Sequence, residues 1–238
     1  MLKSYYLIIL LSTFSLSSIA QTFSPAFYAP SKRKTTYITL KDGTEVSVRV
    51  KRFYRKRGLI KKLKIISSSS GKKVKINPKE IDYMYVAPSA FGKLTQKIGA
   101  ATDLTRIQDN ELSSEHLNNG YLYMESSRVQ IKKKKVMDIM LQVMNPTFSK
   151  KIKVYDDPFA RETYGVGVGP VTLAGGLDKS YYIKKAGEEI ARRIKKAEYK
   201  RDMDELFSEC PSVIQKYGDT PQWSEFEQFI YDYSIMCD

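Results

Sequence analysis

The sequence predicts an α+β protein: a small N-terminal antiparallel β-domain (barrel-like or a hairpin sheet), a second antiparallel β-rich region, and a C-terminal helical tail. Three observations carry this. Residues 35–88 are short runs rich in Val, Ile, Thr and Tyr, separated by turn residues. Residues 120–185 repeat the same pattern. From residue 186 onward, apolar residues recur at spacings of three and four instead.

Residues 1–20 read as a secretory signal. Lys3 gives a positive start, "YYLIILL" (Tyr5 to Leu11) opens an apolar stretch, and Ser18-Ile19-Ala20 puts small residues where a signal peptidase reads them. The stretch is short for a hydrocarbon core of about 30 Å. No Cys follows it, so cleavage near Gln21 is expected, and not a membrane or lipid anchor. Residues 21–34 contain Pro25 and Pro30 and no period, which suggests a linker.

In residues 35–88, "TTYITL" and "TEVSVRV" flank the turn signal "KDG", "LKII" and "KKVKI" flank "SSSSG", and "DYMYV" follows "NPKE". About five strands result. Val46, Val48 and Val50 alternate with Arg49 and Lys51, Leu63 and Ile65 with Lys62 and Lys64, and Val74 and Ile76 with Lys73 and Lys75. Strand side chains alternate with period two, so burying the apolar set turns the basic set outward. The candidate anion-binding face is therefore Arg49, Lys51, Lys62, Lys64, Lys73 and Lys75, with Arg55 and Arg57 in a loop at one end.

Residues 89–119 read as a helical connector, with Phe91, Leu94, Ile98 and Ala101 at helical spacing. The second β-rich region begins at "GYLYMES". Its near-continuous apolar run Val136 to Met144 suggests a central strand buried on both faces, with a short helix as the alternative, and "KIKVYDD", "YGVGVG", "VTLAGG" and "SYYIKK" follow. In residues 186–238, Ile190, Ile194 and Ala197 form one stripe. Tyr199, Met203, Leu206, Phe207 and Cys210 form a second. Thr220 and Pro221 are placed to start a last helix, whose buried face is Trp223, Phe226, Ile230, Tyr233 and Cys237. The chain's two cysteines thus end two apolar stripes. In an oxidising compartment that position favours a Cys210–Cys237 disulfide.

Charge is the most informative feature. Seventeen of the 40 Lys and Arg lie between Lys32 and Lys79, with only two of the 26 acids, Asp42 and Glu45. The +14 net charge therefore belongs to one segment. Motifs for catalysis are missing. His116 is the sole histidine, and there is no H-E-x-x-H, C-x-x-C or G-x-S-x-G. "GVGVGP" lacks the spacing of a phosphate loop, and Asp156-Asp157 and Asp202/Asp204 lack a partner that would mark an acid–base pair. The sequence suggests neither an enzyme nor a cofactor or metal.

The block "LQVMNPTFSKKIKVYDDPFARET", the "GVGVG" and "AGGLDKSYYIKK" runs, "LFSECPSV" and Cys237 resemble a group of uncharacterised exported bacterial proteins that share these features. The likeness spans roughly Gly120 to Cys237 and implies export; the group has no established activity or binding site, so no functional residue carries over. "LKDGTEVSVRV" separately resembles the first hairpin of Sm-type small β-barrels. The expectation is an exported, periplasmic, outer-membrane-associated or extracellular binding protein. Its partner would be an anionic glycan, a lipid surface or an acidic protein, with nucleic acid disfavoured by export. The alternatives are a structural subunit of an envelope assembly and, third, a hydrolase.

Overall fold

Period-two alternation and turns with positive φ build the five strands between Thr36 and Val86. A computed structural model describes residues 23–27, 29–68, 70–89, 112–132, 135–160, 179–218 and 221–237. The segment expected to be a secretory signal, most of the expected helical connector, the "GVGVG" and "VTLAGG" runs, Lys133, Lys134 and Thr220 lie outside these residues.

Five strands come first: β1 (Thr36–Leu40), β2 (Glu45–Lys56), β3 (Leu59–Ser67), β4 (Lys73–Ile76) and β5 (Ile81–Val86). The Asp42 carboxylate accepts the Thr44 N–H at 2.9 Å in the first turn. The β2–β3 turn is the two residues Arg57 and Gly58, with φ of 50° and 74°. Both are positive, as a two-residue hairpin matched to strand twist requires. Strand β2 thus runs to Lys56, through the residues expected to form a loop. Tyr54, Arg55 and Lys56 pair with Lys62, Ile60 and Leu59 of β3, which lets the strand continue past its valine run.

Five more strands follow: β6 (Leu122–Lys132), β7 (Lys135–Gln142), β8 (Ile152–Asp156), β9 (Ser180–Lys185) and β10 (Ile190–Lys195). All belong to one sheet of order β4-β3-β2-β1-β5-β6-β10-β9-β8, with β7 also on β6. The two β-rich regions are therefore continuous, joined where Tyr83–Val86 pairs with Leu122–Glu125. Among the described strands only β6–β10 is parallel. A bridge between Val143 and Tyr155 brings the end of β7 onto β8. The pairings then close a circuit through β6, β10, β9, β8 and β7.

Four helices complete the described fold: α1 (Ser114–Asn118), α2 (Tyr199–Phe207), α3 (Pro211–Tyr217) and α4 (Phe226–Met236). Ile152, Val154, Tyr181, Ile183 and Ile194 turn outward from the circuit and pack on Tyr199, Met203, Phe207, Phe226 and Phe229. Each fully buried side chain of this size contributes about 1.5–3 kcal/mol. The Cys210–Cys237 disulfide closes this layer, with Cα atoms 5.6 Å apart. Buried Asp232 accepts Lys216 Nζ at 2.6 Å and Tyr217 Oη at 2.5 Å, which fixes α3 on α4.

Two expectations are corrected. Residues 190–195 form a strand and not a helix. Ile190 and Ile194 are four apart, which satisfies helical spacing and period two equally, and pairing with β9 and β6 decides the outcome. Residues 23–27, expected to belong to a linker, are packed against the fold. Phe23 and Phe27 are buried, and the Gln142 side chain accepts Phe27 N at 2.7 Å and donates to Pro25 O at 2.9 Å.

Candidate functional site

Register decides which cations share a face. Across β2, β3 and β4 the rows Val50–Ile65–Val74 and Phe53–Leu63–Ile76 lie on the core side, where Val50, Phe53, Leu63 and Ile65 are buried. Between them on the opposite face runs Arg52–Lys64–Lys75. Arg49–Ile66–Lys73 lies on one side of that row and Tyr54–Lys62 on the other. Adjacent strands are about 4.8 Å apart, so six cations share a patch three strands wide. None of the six forms an ion pair among the described residues. Arg52 lies 5.2 Å from the centroid of the exposed Tyr54 ring. Toward β1 and β5 the same face is covered: His116 of α1 stacks on Tyr37 at 4.3 Å, and Tyr85 Oη accepts Ser113 N at 2.7 Å. The uncovered remainder is the basic part.

The structure places five of the eight expected residues together: Arg49, Lys62, Lys64, Lys73 and Lys75. The other three differ. A register shift between Val50 and Arg52 leaves Lys51 as the extra residue, half-buried at a bulge. Beyond it the odd-numbered positions turn inward, since a one-residue slip exchanges the faces. Arg55 therefore lies on the core side, 5.7 Å from the Phe27 ring and 5.6 Å from the Phe53 ring. Arg57 sits in the turn. Arg52, missed by simple alternation, takes the central place. Phe53, apolar and out of phase with Val46, Val48 and Val50, is the sequence signal of that slip.

The interior of the strand circuit holds a polar cluster that the sequence did not reveal. Glu125 is 7% exposed. Its Oε1 accepts Tyr155 Oη at 2.5 Å, and its Oε2 accepts Lys153 Nζ at 2.8 Å and Tyr123 Oη at 3.1 Å. Lys184 Nζ lies 3.8 Å from Oε1 and donates to Ser127 Oγ at 3.3 Å. Burial pushes the Glu125 carboxyl up, but Lys153, the Tyr155 hydroxyl and Lys184 together hold it below its ordinary value. Burial and the adjacent carboxylate push both phenols up. Burial pushes Lys184 down against the pull of Glu125. A carboxylate saturated with donors is a poor base, and phenols shifted upward are poor nucleophiles. The cluster ties β6 to β8 and β9.

Asp157, which precedes Pro158, is fully buried. It accepts Ser180 Oγ and Arg193 Nε, each at 2.6 Å, and Phe159 N at 2.9 Å. These bonds tie the end of β8 to β9 and β10. A cavity of about 240 Å³ lies between the β2–β3 turn and β6–β7, lined by Phe27, Arg55, Ile60, Met124, Met140 and Gln142 among others. It is smaller than ordinary ligand pockets, about 300–1,000 Å³. Among the described residues no three His, Cys, Asp or Glu groups are placed to hold a metal. Among them, too, no helix is long and apolar enough to cross a membrane.

Fold and surface together define an α+β, mostly antiparallel protein with an uncovered cationic sheet face. No protein-family model, curated protein or solved structure matches the chain. The likeness to exported bacterial proteins rests on the quoted residues alone.

Proposed function

We propose that this is an exported, non-catalytic binding protein whose basic sheet face engages an anionic component of the cell envelope or an acidic partner there. The observation that carries the reading is the row Arg52–Lys64–Lys75, three cations on adjacent strands with no carboxylate beside them. Like charges directly opposite one another destabilise a sheet. An anion bound across the row relieves that repulsion. Clustered charge also raises local ligand concentration, with reach limited to a Debye length of about 8–10 Å near physiological salt. The buried disulfide supports export, because such bonds persist in oxidising compartments.

The test is charge reversal at Arg52→Glu, Lys64→Glu and Lys75→Glu, against a control reversal at Lys132, Lys135 and Lys150, which lie off this face. Retention on isolated envelopes and on an anionic matrix should fall at least about tenfold for the first variant and little for the control. The apolar rows are untouched, so both variants should fold. Equal retention of the two variants refutes the proposal.

A further inference from the structure

Among the described residues, one open edge of the sheet lies within the cationic patch. Strand β4 ends the strand order and pairs only with β3 among the described residues, without a register shift. Such edges present unpaired backbone N–H and C=O groups. The core-side row Val50–Ile65–Val74 has exposures of 0%, 4% and 45%, so an apolar row that is closed inside the sheet opens to solvent at its last strand. On the opposite face of β4, Lys73 and Lys75 bracket Val74, and both are exposed.

Resting on the anion-binding reading above, we propose that β4 adds an extended acidic peptide as a further strand. One side of that peptide supplies aliphatic residues that extend the rows of Val74 and Ile76. The other supplies Asp or Glu opposite Lys73 and Lys75. Strand addition takes its affinity from main-chain hydrogen bonds and its specificity from alternate side chains. The charge pattern selects the occupant. A second copy adding through its own β4, with valine beside valine, sets lysines beside lysines and is disfavoured. A strand with alternating acids converts the same contacts into attraction.

The experiment measures anisotropy of labelled peptides of about six residues, a typical strand length, against the mature chain with its disulfide intact. The peptides are an alternating Glu/Val sequence, the same composition with all acids at one end, and two alternating versions N-methylated at odd or at even residues. The alternating peptide should bind at least about tenfold tighter than the segregated one. One of the two N-methylated versions should lose about tenfold while the other retains binding, because only one edge of an added strand faces β4. Val74→Thr should weaken the alternating peptide several-fold and leave retention on an anionic matrix unchanged. Equal binding of all four peptides overturns strand addition while leaving the anionic-surface reading intact. Loss of matrix retention that ignores the Arg52, Lys64 and Lys75 charges overturns the surface reading instead. A concentration-dependent dimer that excludes the peptide and is abolished by Val74→Thr overturns the choice of occupant.

Discussion

Gly58 offers the sharpest check on how the basic hairpin is attached. Its φ is +74°, and a Cβ added there would lie 2.1 Å from the Pro158 carbonyl oxygen and 2.8 Å from its carbon. Gly43 shares the conformation, φ +83°, but a Cβ there meets nothing within 4 Å. The left-handed conformation costs an Ala about 1–2 kcal/mol, which is the whole expected cost of Gly43→Ala. Gly58→Ala adds an overlap with backbone that must move, worth about 1–3 kcal/mol more. The sum is about 2–5 kcal/mol. At about 2–4 °C per kcal/mol for a chain of this length, Tm should fall by about 4–20 °C, against about 2–8 °C for Gly43→Ala. Thermal unfolding followed by circular dichroism, disulfide intact, measures both. If the two variants lose the same stability, the hairpin does not rest on the 157–159 turn. The placement of Arg55, and of the cavity beside it, then fails as well.

Two further outcomes follow from buried groups. The Glu125 carboxyl is held below its ordinary value, so the folded chain binds fewer protons than the unfolded one around the unfolded carboxyl pKa of about 4.3. Its contribution is present above that pH and is lost as pH falls toward the lower folded value. Glu125→Gln should flatten this acid limb in denaturant titrations, and an unchanged limb would show that the carboxylate is not held by Lys153 and Tyr155. The Cys210–Cys237 bond closes a separation of 27 residues, for which chain entropy gives about 3.5 kcal/mol. The double Ser variant should lose about that much in urea unfolding, and a loss near zero would mean that α3 and α4 hold the C-terminus without the bond.

What the sequence displayed depended on whether a feature is local. The five N-terminal strands were legible because Val46, Val48 and Val50, or Leu63 and Ile65, carry their alternation within a few residues. The disulfide was legible because each cysteine ends an apolar stripe. Strand β10 was not, since Ile190 and Ile194 fit either period and its pairing with β6 spans about sixty residues of chain. The Glu125 cluster was hidden for the same reason. Glu125, Lys153 and Lys184 look like ordinary solvated charges on half-exposed strands, and only closing the circuit turns them toward one another. Arg52 was obscured by a bulge, which leaves a faint trace in sequence: a single apolar residue, Phe53, out of phase with the valines before it.

The cationic row is hard to explain as a requirement of the fold. Edge strands commonly carry lysine to prevent association, which accounts for Lys73 and Lys75 on β4. It does not account for Lys64 and Arg52, which lie one and two strands in from that edge, with Lys64 half-buried between its two like-charged neighbours. A neutral polar residue at either position would keep the outer face wet and remove repulsion worth up to about 1 kcal/mol per directly opposed pair. The covered part of the same face shows what the fold does when no charge is needed there: Tyr37, Tyr83 and Tyr85 occupy it, and α1 closes over them. Two neighbouring stretches of one sheet face thus take opposite solutions, one aromatic and capped, the other cationic and open. Stability given up at an uncovered surface is what a binding site leaves behind when its counterpart is another molecule. On the proposed reading, the charge arranged across β2, β3 and β4 is one half of an interface, and the reversal at Arg52, Lys64 and Lys75 tests it.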